Sequence, residues 1–214
     1  MELLNSPDIE CILQELSHIP PRRVINSLFS LLCHENPVIK WNAVTAMGNA
    51  VSRLIEEDVE AGRAIIRRLM WNLNDESGGI GWGSPEAMGE ILSTNANLAE
   101  EYSPILLSYA REDGNFQEHP LMQRGVLWGI GRVAQTNPDL FKNQPRYFIP
   151  FLSSSDPTVR GIASWVIGLI GVRAAREKLG QLRTDNSPIQ VYFDRKLVQC
   201  SVKDLAEEAF MRLE

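Results

Sequence analysis

The stretch Asp156-Pro157-Thr158-Val159-Arg160-Gly161-Ile162-Ala163-Ser164-Trp165-Val166-Ile167-Gly168 decides the fold, because three looser copies of it recur in the chain without gaps. They run from Asn36-Pro37 to Gly48, from Ser84-Pro85 to Ala96 and from His119-Pro120 to Gly131. Each holds a proline with a small residue eleven positions later, and successive prolines are 48, 35 and 37 residues apart. Such a spacing is the length of a two-helix repeat.

Proline is tolerated at the first position of a helix, where its missing N–H would have had no partner. Each of these prolines is therefore read as a helix start, with Asn36, Ser84 and Asp156 as N-caps and His119 as a weaker one. Counted from the proline, positions +2, +6, +9 and +13 fall on one stripe at about 100° per residue. They hold Ile39, Ala43, Ala46 and Ala50; Met122, Val126, Gly129 and Val133; and Val159, Ala163, Val166 and Ile170. This is the expected core face, and the small residues at +11 would let a neighbouring helix approach closely.

Second helical segments are expected at 59–73, 103–111, 139–153 (broken at Pro145 and Pro150) and 173–183. A leading pair occupies about 7–18 and 21–33. Ile189 to Phe193 and Leu197 to Cys200 alternate around Asp194-Arg195-Lys196 as a small hairpin, and Ser201 with Asp204 reads as a capping box opening a last helix to Leu213. The expected fold class is all-α: a right-handed α–α superhelix of about five helix pairs with a small C-terminal β-hairpin and a capping helix. One domain spans 1–214, with a helix pair in 1–35, four repeats in 36–185 carrying a glycine-rich insertion at 74–84, and the hairpin and cap in 186–214.

At 214 residues, 44% hydrophobic and 22% charged, the chain has an ordinary globular balance. A net charge of −6 gives nucleic acid and anionic lipid no help from the whole-molecule field. The first residues read as neither an export signal nor a membrane span, so a cytoplasmic location and no membrane partner are expected. Cys11, Cys33 and Cys200 are too few and too scattered for a disulfide framework or a zinc site, and Cys11 and Cys33 are expected to pack on helices. No metal and no cofactor is expected.

Over roughly 20–185 the chain resembles the HEAT repeat family, in particular its short bacterial phycobilisome-lyase-type repeats. The resemblance rests on Asp156-Pro157, Val159-Arg160, Ala163, and Gly168 and Gly171 near the helix end; in the other copies Lys40, Met88 and Gln123 stand where Arg160 does. It implies a helical solenoid of the kind that mostly binds partners. It also implies an inter-repeat role for Arg160 and a concave face built from second helices.

Departures from the repeat carry the functional clues. The insertion Asn74 to Ser84 holds four glycines and Trp82, a flexible backbone beside one large apolar plate, and is either a spacer or a ligand loop. Thr94 and Asn95 bring polar groups to positions that are apolar or small elsewhere; they bond to the insertion or belong to a polar site. Glu86 and Glu90 share one helix face, for which solvent exposure is the default. Trp41, Trp128 and Trp165 point well away from the core stripe, and Arg124 lies on the same surface. These rings either fill gaps between neighbouring first helices or form an aromatic binding strip. The candidate partner-binding residues are therefore Trp41, Trp82, Glu86, Glu90, Arg124, Trp128 and Trp165, with no catalytic set.

The favoured function is noncatalytic binding or scaffolding, with a groove and a tryptophan-bearing surface offered to a protein or peptide. Nucleic-acid binding, by analogy with DNA-alkylation-repeat glycosylases, is disfavoured by net charge and would use the basic second-helix face, including Arg63, Arg67, Arg68, Arg111, Arg176 and Arg183. A lyase-like enzyme of the phycobilin lyase type is the remaining alternative. None of that family's active residues can be carried onto this chain, and no GxSxG motif is present.

Overall fold

A computed structural model describes residues 3–74 and 81–213. Its helices are α1 (Ile9–Ser17), α2 (Pro21–Phe29), α3 (Pro37–Glu57), α4 (Val59–Leu73), α5 (Ser84–Thr94), α6 (Ala96–Ser108), α7 (Pro120–Thr136), α8 (Pro157–Ile170), α9 (Arg176–Leu182) and α10 (Val202–Arg212). Strands β1 (Pro188–Phe193) and β2 (Lys196–Ser201) form one antiparallel hairpin between α9 and α10. Where the repeat would place a second helix after α7, the prolines of 138–153 leave single 3-10 turns at Pro138–Leu140, Pro145–Tyr147 and Ile149–Ser153.

Three of the four proline-led helices start as the sequence predicts. The side chains of Asn36, His119 and Asp156 accept from the amides of Val38 (2.9 Å), Leu121 (3.2 Å) and Val159 (3.0 Å). The fourth start differs. Gly83, not Ser84, is the N-cap of α5; it has φ +82°, and any Cβ there would collide with the Leu32 carbonyl. Ser84 falls inside the helix, with its hydroxyl buried.

α3, α5, α7 and α8 lie side by side in chain order, with α2 before them and α10 continuing the row. The predicted stripe faces the core: Ala43, Val159, Ala163 and Val166 are fully buried. Contact is closest between α5 and α7, where a Cβ added to Gly89 would lie 2.5 Å from the Cα of Gly129. Two facing glycines let these backbones touch.

Some local expectations need correction. α6 begins at Ala96 and not at Ser103, because Asn95 caps it by accepting from the Leu98 amide at 3.0 Å and Pro104 is carried inside the helix. The Thr94 hydroxyl donates to the Ile91 carbonyl of its own helix at 2.8 Å. Thr94 and Asn95 are thus engaged locally. Cys11 and Cys33 are exposed free thiols and not packed ones: Cys11 lies on α1 with its side chain exposed, and Cys33 stands in the turn after α2, past the end of the helix. Residues 75–80 of the predicted insertion lie outside the described residues.

The hairpin turns through Asp194 (φ 46°) and Arg195 (φ 63°), the two left-handed residues that a type I′ turn requires. It folds back across the first helices. The Tyr192 hydroxyl meets Thr45 of α3 at 2.9 Å although 147 residues separate them, and Ile189 fills the notch left by Gly161 on α8. Ser201 and Asp204 then make the predicted capping box, which starts α10.

Candidate binding groove

The tryptophans that point away from the core stripe meet the hairpin instead of water. Tyr192 stacks on Trp41, with ring centroids 4.6 Å apart and planes 7° from parallel. Trp128 lies 4.6 Å from Trp41 and its indole Nε1 donates to the Tyr192 carbonyl at 2.7 Å. Trp165 packs 4.7 Å from Phe193 and occupies the notch left by Gly131. Trp128 and Trp165 are only 3% and 8% exposed, so the chain covers most of this apolar strip itself.

Glu86 and Glu90 are not on a solvated face. Both are buried, because α5 is flanked by α3 and α7, and each is gripped by a cation from a different neighbour. Lys40 of α3 donates to Glu86 Oε1 at 2.7 Å and lies 5.2 Å from the centre of the Trp41 ring. Arg132 of α7 donates to Glu90 Oε2 at 3.1 Å. Burial pushes the Glu90 carboxyl above its ordinary value, against the pull of Arg132.

Lys40 and Arg124 each reach into the following repeat, and Arg160 reaches the segment before β1. Arg124 donates through Nε to both carboxylate oxygens of Asp156 at 3.1 Å, and Arg160 holds Asp185 at 2.9 and 2.6 Å. The Arg160 contact joins α8 to the segment that leads into β1, so its partner lies at the end of its own repeat and not in a following one. Burial alone would raise Asp156; the Arg124 guanidinium and the Val159 amide outweigh it and hold the carboxyl below the usual range.

Trp41, Trp82, Glu86, Arg124 and Trp128 come together along one groove beside β1, around a cavity of about 200 Å³. Gln190 and Tyr192 form one wall, while Trp82 (41% exposed) and Leu121 (40% exposed) stand on the rim. Glu90 and Trp165 are absent from this groove; with Arg132 and Phe193 they line a second cavity of about 490 Å³, which shares Trp128 and Tyr192 with the first. Sequence reasoning missed Tyr192, Lys40 and His34. Lys40 carried a signal in its alignment with Arg160, and Tyr192 in the alternation of the hairpin; neither pattern tells which helix the side chain will meet.

Several basic residues of the second-helix face and its flanks are tied to acids. Arg63 pairs with Glu60 and Glu101, Arg111 with Asp113, Lys142 with Asp139, and Arg183 with Glu207. Among the described residues no three His, Cys, Asp or Glu side chains stand close enough together to hold a metal ion. No described helix is long and apolar enough to cross a membrane.

Residues 120–170 match the model of the HEAT-like repeat family. An uncharacterised protein of Archaeoglobus fulgidus is 22% identical over 194 residues, which cover 90% of this chain and 97% of that one. Among solved structures, a designed armadillo repeat protein aligns with a TM-score of 0.57 at 19% identity, covering 100% of this chain and 98% of its own. Another designed armadillo repeat protein, solved in complex with the peptide (KR)4, aligns with a TM-score of 0.58 at 18% identity, covering 100% and 97%. Segment 120–170 is therefore HEAT-like repeat in sequence, and the chain as a whole has the armadillo/HEAT-like helical repeat fold.

Proposed function

We propose that this chain is a noncatalytic binding protein that offers its groove and the tryptophan-bearing surface around it to a peptide segment of a partner protein. The observation that carries the reading is the convergence of Trp41, Trp82, Glu86, Arg124 and Trp128 on one groove beside β1. Tryptophan and arginine, of which Trp82 is exposed and Arg124 partly so, are residue types that concentrate binding energy at interfaces. The charged groups there serve ion pairs between repeats, an arrangement suited to holding shape. Repeat proteins of this fold commonly bind proteins, and one structural neighbour was solved with a peptide bound.

Selection of random displayed peptides on the immobilised full chain tests the reading. Enriched peptides should bind the wild type and lose binding to Trp82→Ala, while the circular dichroism of that variant stays unchanged. Failure to enrich any peptide, or equal binding by Trp82→Ala and Leu121→Ala, would reject the groove.

A further inference from the structure

Strand parity settles which backbone groups the hairpin uses on itself. The closing pair Phe193 and Lys196 around a two-residue turn, and the Val202 N–H donating to the Ser187 carbonyl at 3.2 Å, put the odd-numbered residues of β1 in the hydrogen-bonded pairs. Gln190 and Tyr192 therefore direct their N–H and C=O groups away from β2, toward Trp128, which with Gln190, Val191 and Tyr192 lines the groove. The Tyr192 carbonyl is taken by the Trp128 indole. What is left is a short strand edge centred on the exposed Gln190, and such an edge is a template for another extended segment.

The charges along the groove are oriented. Lys40 is 24% exposed and its partner Glu86 4%; Arg124 is 37% exposed and its partner Asp156 11%. Both cations face outward and both carboxylates lie behind them. Lys40 gives one hydrogen to Glu86, leaving two ammonium hydrogens without a hydrogen-bond acceptor among the described residues, beside the Trp41 ring. His34 adds a further donor: its Nδ1 accepts from the Asn36 amide at 3.0 Å, so its Nε2 carries the proton.

We infer that the groove takes an extended acidic segment of a partner protein, added as a third strand to the outer edge of β1 with a carboxylate side chain against Lys40 and Arg124. The exposed faces of Trp82 and Leu121 would cover the apolar neighbours of that side chain. This rests on the groove being the partner-binding surface, and it adds the chemistry of what binds there.

Acetylated and amidated pentapeptides in which valine alternates with glutamate, glutamine or lysine provide the test, titrated into the 15N-labelled full chain. The glutamate peptide should shift the Gln190 and Tyr192 amide resonances and bind about tenfold tighter than the lysine peptide, the step expected of a charge-assisted contact. Methylating alternate peptide amides, or changing Gln190→Pro in the protein, should each weaken it about tenfold, since each removes a donor on the strand edge. Equal or tighter binding of the lysine peptide would overturn the acidic chemistry and leave the groove as a binding surface. Binding that ignores both backbone changes would overturn strand addition. If none of these peptides binds while library-selected peptides still dock at Trp82, this inference fails and the wider reading stands; if no selected peptide binds either, both fail.

Discussion

Tyr192 lies flat on Trp41 with 4.6 Å between ring centroids, and its hydroxyl is bonded to Thr45 one turn further along α3. One side chain near the end of the chain thus covers an aromatic face and satisfies a buried polar group near its beginning. Tyr192→Ala should lower unfolding stability by roughly 3–5 kcal/mol, the range for deleting a buried aromatic ring. It should also red-shift tryptophan fluorescence, as Trp41 and Trp128 meet water. Tyr192→Phe keeps the stack and leaves Thr45 unsatisfied, so about 1–2 kcal/mol is expected. Denaturant titration of both variants checks the order; equal losses would mean that the stack contributes nothing.

Asp156 does two jobs, accepting the Val159 amide as N-cap of α8 and three bonds from the Arg124 guanidinium. Asp156→Ala removes the cap and strands the guanidinium, for an expected loss of roughly 2 kcal/mol. Asp156→Asn keeps a capping oxygen and should cost about half as much. Because the folded carboxyl sits below its unfolded value, its contribution is present above the unfolded value and fades as pH falls through the folded one. Acid titration should therefore narrow the gap between the wild type and Asp156→Asn.

Glu90 behaves in the opposite sense. Burial raises its folded value above the unfolded one, so folding takes up a proton in the window between them. Stability from this group is greatest below the unfolded value and declines as pH rises through the folded value. The difference in unfolding free energy between the wild type and Glu90→Gln should shrink, or turn against the wild type, across that window. A difference that grows with pH would show that the Arg132 pairing outweighs burial.

At the α5–α7 contact a methyl group on Gly129 would run into the Pro85 carbonyl. Gly129→Ala should destabilise by about 1–3 kcal/mol through overpacking, despite the better helix propensity of alanine. Thermal melting would register this as a drop of roughly 2–4 °C for each kcal/mol in a chain of this size. An unchanged or higher melting temperature would mean that the two helices move apart at little cost.

The repeat architecture was legible in the sequence because its determinants are local. At Pro37, Pro120 and Pro157 a proline with a capping residue before it opens a helix whose apolar stripe, such as Val159, Ala163 and Val166, confirms the start, whereas Asn137-Pro138 and Ser187-Pro188, with no such stripe behind them, open a 3-10 turn and a strand. The hairpin was legible too, from its alternation and its turn. Local rules failed where two starts competed: Gly83 displaced Ser84 because its left-handed φ let it pass under the Leu32 carbonyl.

Tertiary structure decided the rest. Periodicity gives the direction in which Trp41, Trp128 and Trp165 leave their helices, but what covers them is the hairpin, and no local pattern reports where a hairpin will land. Glu86 and Glu90 look like a solvated pair in the sequence and are buried because α3 and α7 close on both flanks of α5, bringing Lys40 and Arg132 with them. Spacing along a helix fixes azimuth, whereas burial and charge pairing depend on neighbours that the chain supplies from dozens of residues away.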